Sequence, residues 1–247
     1  MSQLDLAVDA EISTRHLSFV ESGRSRPSRE MLLHLAERLA VPLRARNLLM
    51  VSAGYAPVFA ERPIGDPALA PARKAIELVL KGHEPYPALA IDRHWIMVEA
   101  NAAVVPLLAG ADPALLKPPV NVLRLSLHPS GLAPRIANLA EWRAHLFERL
   151  RKQIEVSADP VLVALLEELR ALPAPHTRRP PPATADYAGV VVPLQLMTAA
   201  GVLSFLSTTT VFGTPVDVTL SEIALEAFFP ADRATADALA RTSAQAT

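Results

Sequence analysis

Proline sets the first limit on how this chain folds, because it breaks helices and cannot continue a central strand. The 247 residues include 23 prolines but only 9 glycines. Four prolines fall between Ala56 and Ala72 (APVFAERPIGDPALAPA), a segment without sustained apolar periodicity that predicts a linker. A second cluster, from Pro173 to Pro182, predicts an exposed loop. We therefore expect a small domain at 1–55, a linker at 56–72, a larger domain at 73–232, and a C-terminal helix or tail at 233–247.

Composition narrows the class of protein. Half of the residues are apolar (51%), 20% are charged and the formal net charge is −1, so the chain can bury a core and global disorder is excluded. The absence of cysteine excludes disulfides, thiolate metal sites and cysteine nucleophiles, and it is compatible with the cytoplasm, where we expect the protein. No apolar run reaches the roughly 18 residues that span a bilayer, and no signal peptide is apparent, so we expect no membrane partner. Near-neutral charge gives no global support for nucleic-acid binding, which must come from a local surface.

Helix signals dominate the first 55 residues. Serines placed before apolar periodic runs predict helix starts, and glycines predict helix ends. Four short helices are expected, at Ser2–Asp9, Ser13–Ser22, Ser28–Leu39 and Leu43–Ser52.

The larger half mixes helices and strands. Helices are predicted at Pro71–Lys81, after Asn101, from the helix-opening Pro134 through Ile154, from Asp159-Pro160 onward, and after Asp232. Strands are predicted at Ala88–Ile91, Trp95–Glu99, Gly189–Thr198, Val202–Val211 and Glu222–Phe229. The last of these fits either period, and we favour a strand because Ile223, Leu225 and Ala227 alternate with Glu222, Ala224 and Glu226. Two strands, a helical crossover and three strands give an α+β fold in which a helical domain is joined to a PAS-like domain, a five-stranded antiparallel sheet with helices.

The segment 3–27 (QLDLAVDAEISTRHLSFVESGRSRP) carries the strongest functional signal. Two short helices joined by a turn place the second helix in the major groove of DNA. Phe19 on the second helix has two open roles, contact with thymine methyl groups or packing onto the core of its own domain. The residues expected to contact double-stranded DNA are Gln3, Ser13, Thr14, Arg15, Ser18, Phe19, Ser22, Arg24 and Arg26.

These residues resemble the helix-turn-helix of the lambda repressor, Cro and Xre type. The matching positions are Gln3, Leu6, Ala7, Ala10, Ile12, Ser13, Leu17, Val20, Glu21 and Gly23. The segments 121–151 and 204–232 resemble the MmyB-like, PAS-related ligand-binding domain that follows such a domain in one branch of Xre regulators. This resemblance implies a transcriptional regulator that binds a small apolar ligand, fatty-acid-like in the family. It also implies a homodimer that reads two half-sites.

Two departures from the helix-turn-helix pattern keep a second hypothesis open. The turn position, usually glycine, is Glu11, which would cost on the order of 1 kcal/mol in the left-handed region. The helix that normally precedes the Gln3 helix has no counterpart in the sequence, so we expect an incomplete DNA-binding domain. The alternative is a ligand-binding or dimerisation protein that has lost DNA binding.

An apolar pocket is expected between the sheet and the long helix, because the predicted strands are apolar on both faces. The candidate ligand-binding residues are Trp95, Met97, His128, Arg135, Trp142, Leu146 and Phe205. Of these, His128 and Arg135 would either meet a carboxylate or serve the structure alone, and the basic run Arg143, Arg149, Arg151 and Lys152 is expected to be a solvated helix face. Without a nucleophile elbow, a P-loop or an H-E-x-x-H motif, no enzyme activity, metal or cofactor is predicted.

Overall fold

The computed structural model describes residues 2–173 and 191–245. Its contacts divide the chain into two compact units. The first, here the helical unit, contains Met1–Ala70 together with Phe212–Glu222, and the second, here the sheet unit, contains Pro71–Val211 together with Ile223–Thr247. This division differs from the predicted boundaries, because most of the expected linker and a segment from far along the chain belong to the helical unit.

Four helices open the helical unit. They are α1 (Gln3–Asp9), α2 (Thr14–Glu21), α3 (Arg29–Arg38) and α4 (Leu43–Ser52). The first three begin where a serine hydroxyl oxygen accepts the backbone N–H three residues later: Ser2 from Asp5, Ser13 from His16, and Ser28 from Met31. All four predicted helices are confirmed to within two residues at each end.

Small side chains let α1 approach its neighbours closely. Ala7, Ala10, Leu17 and Leu35 form a buried cluster in the helical unit. In the turn between α1 and α2, Glu11 adopts a left-handed conformation with φ of 52°. This is the conformation expected at the position where the helix-turn-helix pattern usually has glycine.

The predicted linker is held in place over part of its length. The side chain of Asn47 on α4 accepts hydrogen bonds from the backbone N–H groups of Val58 (2.9 Å) and Phe59 (3.0 Å) and donates one to the carbonyl of Phe59 (2.8 Å). Residues 58–59 of the predicted linker are therefore tied to α4, because the side chain of Asn47 satisfies their backbone groups.

Five strands make up the sheet unit: β1 (Ala88–Ile91), β2 (Met97–Ala100), β3 (Leu194–Thr198), β4 (Gly201–Val211) and β5 (Ala224–Pro230). They lie in the order β2-β1-β5-β4-β3, and each neighbouring pair is antiparallel. The predicted α+β class and five-stranded antiparallel sheet are confirmed, and the segment that fitted either period is a strand.

Helices complete both units. They are α5 (Ala70–Gly82), α6 (Val122–Leu127), α7 (Leu139–Ser157), α8 (Pro160–Ala171), α9 (Val218–Ser221) and α10 (Arg233–Gln245), of which α9 belongs to the helical unit. Short 3-10 helices lie at Pro67–Leu69, Ala102–Leu108, Pro113–Leu116 and Ala133–Arg135. Among the helices formed by described residues, none combines the length and the apolarity needed to cross a membrane.

Helix α7 begins later than predicted. After the 3-10 helix Ala133–Arg135, Ile136 forms a β-bridge with Leu196, and the N–H of Ala137 donates to the carbonyl of Gln195 (2.8 Å). The proposed start at Pro134 is wrong because this stretch pairs with β3 instead of continuing as helix. In the same way, the predicted strand from Trp95 starts only at Met97, because Trp95 has a φ of 65° in the preceding turn.

The predicted strand from Gly189 begins at Leu194 in the described part of the chain, since residues 191–193 are not in a strand. Gly189 and Val190 lie outside the described residues, as does the predicted loop at Pro173–Pro182 beyond Pro173.

The main core lies between the sheet, α7 and α8. Helix α8 contributes the four leucines predicted to point inward, Leu162, Leu165, Leu166 and Leu169, and all four are buried. They belong to one buried cluster with Trp95, Trp142, Leu146, Leu150, Leu196 and Phe205.

Asn138 joins the start of α7 to the sheet and gives a test of this arrangement. It is 4% exposed, donates to the carbonyl of Pro193 (2.8 Å) and accepts from the N–H of Gln195 (3.2 Å). We expect Asn138→Ala to lower the free energy of unfolding by about 2 kcal/mol, because it leaves two partly buried backbone groups unpaired. Urea denaturation measures the change. Glu141→Gln alters only an exposed neighbour of Asn138 and should cost less than about 0.5 kcal/mol; equal losses for the two variants would contradict the assignment.

Candidate DNA-binding and ligand-binding sites

The outward face of α2 carries three exposed polar side chains, Thr14, Arg15 and Ser18. Phe19 is half-buried, and the guanidinium carbon of Arg15 lies 5.3 Å from the centre of its ring. This cation–π contact places Arg15 along the helix and next to the polar groups. The face therefore offers one guanidinium and two hydroxyls to a partner, over a ring that is neither fully buried nor fully exposed.

Three other DNA-contact candidates already serve the local structure. Gln3 donates from Nε2 to Oε2 of Glu21 (2.5 Å), which ties the start of α1 to the end of α2. Ser13 caps α2, and the hydroxyl of Ser22 donates to the carbonyl of Ser18 (2.7 Å). Their contacts with DNA stay a prediction, since a capping or bridging group can still meet a phosphate from its exposed side.

The two arginines after α2 differ in their surroundings. Arg24 is exposed. Arg26 donates from a guanidinium nitrogen to the carbonyl of Ala53 (2.7 Å) and lies 5.5 Å from the ring of Tyr55, whose hydroxyl donates to the carbonyl of Pro27 (3.0 Å). Arg26 thereby binds the C-terminal end of α4, a role that the sequence pattern did not reveal.

Gly54 explains how the Arg26 guanidinium fits against the end of α4. A Cβ atom at this position would lie 2.6 Å from a guanidinium nitrogen of Arg26, and the backbone has a φ of +81°. Both the left-handed conformation and the close approach of the guanidinium require glycine here.

In the sheet unit, five of the predicted ligand-binding residues surround one cavity of about 110 Å³ between the sheet and α7. We call it the apolar cavity. These five residues are Trp95, Met97, Trp142, Leu146 and Phe205. Most of the remaining wall is leucine and valine, so the space favours an apolar group.

A buried ion pair lies at one side of the apolar cavity. Glu226 on β5 is 4% exposed and accepts a hydrogen bond from the guanidinium of Arg149 on α7 (2.5 Å) and one from the hydroxyl of Thr209 (2.8 Å). The guanidinium carbon of Arg149 also lies 4.8 Å from the ring of Trp95. The interpretation of Arg149 as part of a solvated basic face is wrong, because a buried carboxylate requires a paired charge. A lone glutamate in an otherwise apolar strand was the signal for this pair.

Hydrogen bonds orient the two indoles of the cavity. The indole N–H of Trp95 donates to Oε1 of Gln153 (2.8 Å), and that of Trp142 donates to the hydroxyl of Ser126 (3.0 Å). The bond to Gln153 helps to hold Trp95 in its left-handed backbone conformation, which is costly for a bulky residue.

A larger cavity of about 350 Å³ lies in the same unit, and we call it the Arg135 cavity. Arg135 donates to the carbonyl of Leu107, a residue that lines both cavities, while its Nε is buried and has no hydrogen-bond partner among the described residues. Burial lowers the pKa of Arg135. The other walls include Pro106, Leu203 and Leu239. A partly buried guanidinium with an unused donor is suited to bind a carboxylate.

His128, the remaining predicted ligand-binding residue, lines neither cavity. It follows α6, and its Nδ1 accepts a hydrogen bond from the N–H of Ser130 (3.0 Å). Its contacts fit the structural role that the sequence left open for it, and a role in ligand binding stays a prediction.

His145 makes the sheet unit sensitive to pH. Its ring stacks on Trp142 with centroids 5.4 Å apart. Burial and the positive charge of Arg149 lower the pKa of His145, while Glu226 acts in the opposite direction. Because the pKa is lower in the folded state than the value near 6.5 expected when unfolded, protonation favours the unfolded chain. Stability from this group is therefore complete above about pH 6.5 and is lost as the pH falls toward the folded pKa.

We expect the unfolding free energy to fall between about pH 7.5 and about pH 5.5, and to fall less in His145→Gln, which cannot take up a proton. Urea denaturation of both proteins at several pH values measures the difference between the two slopes. Identical slopes would show that protonation of His145 does not destabilise the folded protein.

Comparison with known proteins finds two family models, which match separate segments of the chain. A family model described as helix-turn-helix matches residues 1–45. A second, described as the MmyB-like transcription regulator ligand binding domain, matches residues 72–241. No curated protein matches the chain.

The two matches fall where the geometry places the two candidate sites. Residues 1–45 include the exposed face of α2, and residues 72–241 include both cavities. The resemblances found in the sequence are confirmed, and the chain belongs to the MmyB-like transcription regulators, in which a helix-turn-helix is combined with a ligand-binding domain.

Proposed function

We propose that this protein is a cytoplasmic regulator that binds specific double-stranded DNA through α2 and changes its affinity when the sheet unit binds a small, apolar, fatty-acid-like molecule. The observation that carries the proposal is the face of α2 on which Thr14, Arg15 and Ser18 are exposed, on a helix fixed from behind by Leu17. A helix presented in this way has the side chains that read base edges in the major groove.

We expect two arginines to make different kinds of DNA contact, one with a base and one with a phosphate. Arg15 lies in the first turn of α2, where a guanidinium can meet O6 and N7 of guanine with two hydrogen bonds. Arg24 follows the helix and is exposed, which suits a phosphate. Arg26 contributes less, because its guanidinium is bound to the end of α4.

The alternative function is a ligand-binding or dimerisation protein that does not read DNA. Residues 1–58 contain seven Arg and six Asp or Glu, so this part of the helical unit lacks the strong positive charge of many DNA-binding domains. Selection of binding sites from random double-stranded DNA with the full chain separates the two functions. Enrichment of a common sequence supports the regulator, and no enrichment favours the alternative.

On the selected site, Arg15→Ala should cost roughly 1–3 kcal/mol and relax the preference at one base pair, because it removes a base contact. Arg24→Ala is the matched comparison: it should weaken binding to all sequences alike and reduce the salt slope by about one unit. Fluorescence anisotropy titrations at several salt concentrations measure both. If Arg15→Ala changes only the salt slope, Thr14, Ser18 or Phe19 becomes the better candidate for the base contact.

The ligand site combines mostly apolar walls with the guanidinium of Arg135, whose Nε has no hydrogen-bond partner among the described residues. The apolar cavity would receive hydrocarbon, and the Arg135 cavity would receive a polar end group, since Leu107 lines both. The buried, unpaired Nε of Arg135 supports a carboxylate there, because a negative partner would satisfy the donor and offset the burial of the guanidinium. Glu226 and Arg149 already neutralise each other and offer no net charge to a ligand.

Dodecanoate and dodecanol have the same chain length and differ in the charge of the end group. We expect dodecanoate to raise the melting temperature of the protein, and Arg135→Met to weaken dodecanoate binding about tenfold or more with little effect on dodecanol. Calorimetric titration measures the affinities. Arg151→Met, at an exposed arginine paired with Glu148, is the control. Failure of both compounds to bind would remove the fatty-acid-like ligand, and equal effects on both would remove the carboxylate role of Arg135.

We also propose a homodimer. Regulators with this kind of DNA-binding domain read two half-sites with two identical helices. A ligand-dependent change in the dimer would therefore alter the spacing between these two helices. Light scattering should give twice the monomer mass of 26.6 kDa.

The ligand would act on DNA binding through thermodynamic linkage. A ligand that binds one arrangement of the protein better shifts the population toward that arrangement, and the free energy of DNA binding changes by the same amount.

A further inference from the structure

Strands β4 and β5 form a wall of the apolar cavity. They pair from Phe205↔Pro230 to Val211↔Ala224, and residues directly opposite each other share a face of the sheet. Phe205, Glu226 and Phe228 all line the cavity from this wall. The cavity, at about 110 Å³, is smaller than the 300–1,000 Å³ typical of small-molecule pockets. A larger occupant must therefore displace side chains of the wall or of the facing helix.

The chain that connects these two strands belongs to the other unit. Residues Phe212–Glu222, here the β4–β5 loop, are part of the helical unit, while the strands on either side of the loop are part of the sheet unit. The loop is thus a covalent continuation of the cavity wall that packs within the DNA-binding half of the chain.

One anchor of the loop is backbone pairing next to a buried carboxylate. Ala60 forms a β-bridge with Asp217, and the N–H of Val218 donates to the carbonyl of Ala60 (2.8 Å). Asp217 is 1% exposed, accepts from Arg62 (3.0 Å) and also accepts from the N–H of Thr219 (2.9 Å) at the start of α9. A buried carboxylate with these partners fixes the loop strongly, because loss of Arg62 would leave its charge without a paired cation.

The second anchor is a two-pronged ion pair. Arg44 on α4 donates from Nε to Oε1 of Glu222 (2.7 Å) and from a terminal nitrogen to Oε2 (3.0 Å). The same guanidinium contacts Glu61 (2.6 Å). Arg44 and Glu222 are 28% and 21% exposed, so solvent screens this pair less than a surface pair. This ion pair joins the end of the loop, just before β5, to α4 in the helical unit.

Helix α4 also contacts the segment that follows α2, the helix proposed to read DNA bases. Asn47, on the turn after Arg44, fixes the backbone at Val58 and Phe59. At the other end of α4, Arg26 binds the carbonyl of Ala53, and Tyr55 binds the carbonyl of Pro27. Helix α4 therefore holds both the β4–β5 loop and the chain immediately after α2.

We propose that the β4–β5 loop is the element that transmits changes at the cavity to the DNA-binding half, with Asp217 and Glu222 as its anchors and α4 as the receiving helix. The inference rests on the proposed function for its biological outcome, and it names the regulatory connection of that same site. A shift of β4 relative to β5 moves both ends of the loop. The Glu222 anchor passes this movement to α4 directly. The Asp217 anchor passes it to residues 60–62, which follow the segment that Asn47 holds to α4. Arg44, Asp217 and Glu222 are positioning residues in this scheme, since none of them lines either cavity.

Hydrogen exchange of the full chain tests the connection without any ligand. Glu222→Gln weakens one anchor from the loop side. We expect amide exchange to rise at least about fivefold in α4, in residues 58–61 and at the joined ends of β4 and β5, because these segments would share one opening event. Arg44→Lys keeps the charge but not the two-pronged geometry, and it should produce a smaller rise in the same segments.

Glu168→Gln is the matched control. It removes a similar two-pronged pair, with Arg124 (2.6 and 2.8 Å), from the sheet unit, and should leave α4 and residues 58–61 unchanged. A rise confined to residues 212–222 in Glu222→Gln would overturn the proposal, because the loop would then be held without transmitting anything. If Glu222→Gln does not fold, the same criterion applies to Arg44→Lys.

A second measurement uses dodecanoate and the DNA site recovered by selection. In the wild type, the ratio of DNA dissociation constants with and without dodecanoate gives the coupling. Glu222→Gln should bring this ratio close to one, while its affinity for either partner alone changes less than about threefold. A ratio equal to the wild-type ratio would overturn the proposal. A wild-type ratio of one would instead count against the ligand response of the proposed function, and the exchange measurement would then decide the inference alone.

Discussion

The antiparallel pairing of β4 with β5 determines most of what the ligand-binding half can do. Its register places Phe205, Thr209, Glu226 and Phe228 on one face, because directly opposite residues point the same way. That face closes the apolar cavity. A slip by one residue would exchange the two faces and put Leu225 in place of Glu226, so the register fixes both the cavity wall and its single buried charge.

The buried pair of Glu226 and Arg149 stabilises that register, although burying a charged carboxylate costs free energy. Removing either charge alone from such a pair typically costs about 3–5 kcal/mol, because the other charge is left without a partner. The hydroxyl of Thr209, directly opposite Glu226 in the sheet, satisfies a further acceptor position of the carboxylate. The pair connects α7 to β5 across the cavity, and it leaves Arg135 as the cationic group at the cavities that lacks a carboxylate partner among the described contacts.

Local signals were enough to predict the elements, and long-range contacts decided what the sequence could not show. Serine caps gave the starts of α1, α2 and α3, and the left-handed turn at Glu11 followed from the helix-turn-helix pattern. The start of α7 did not follow, because Ile136 pairs with Leu196, sixty residues later. Partners of this kind leave no periodic trace in the sequence.

The candidate sites divide in the same way. Met97, Trp142, Leu146 and Phe205 line the cavity from elements that the sequence predicted, since strands and helices fix which side chains share a face. Trp95 also lines it, but from the turn before its predicted strand. Arg26 was assigned to a DNA phosphate and Arg149 to a solvated helix face, because nothing near them in the sequence marks their partners, the Ala53 carbonyl and the Glu226 carboxylate. Helix α2, with 8 residues, is too short to be stable alone, so contacts from outside it must fix its position. Leu17 packs behind it, and the Arg26 contact ties its following segment to α4, the helix that also holds the β4–β5 loop. The orientation of α2 therefore depends on packing behind the helix and on contacts of the segment that follows it.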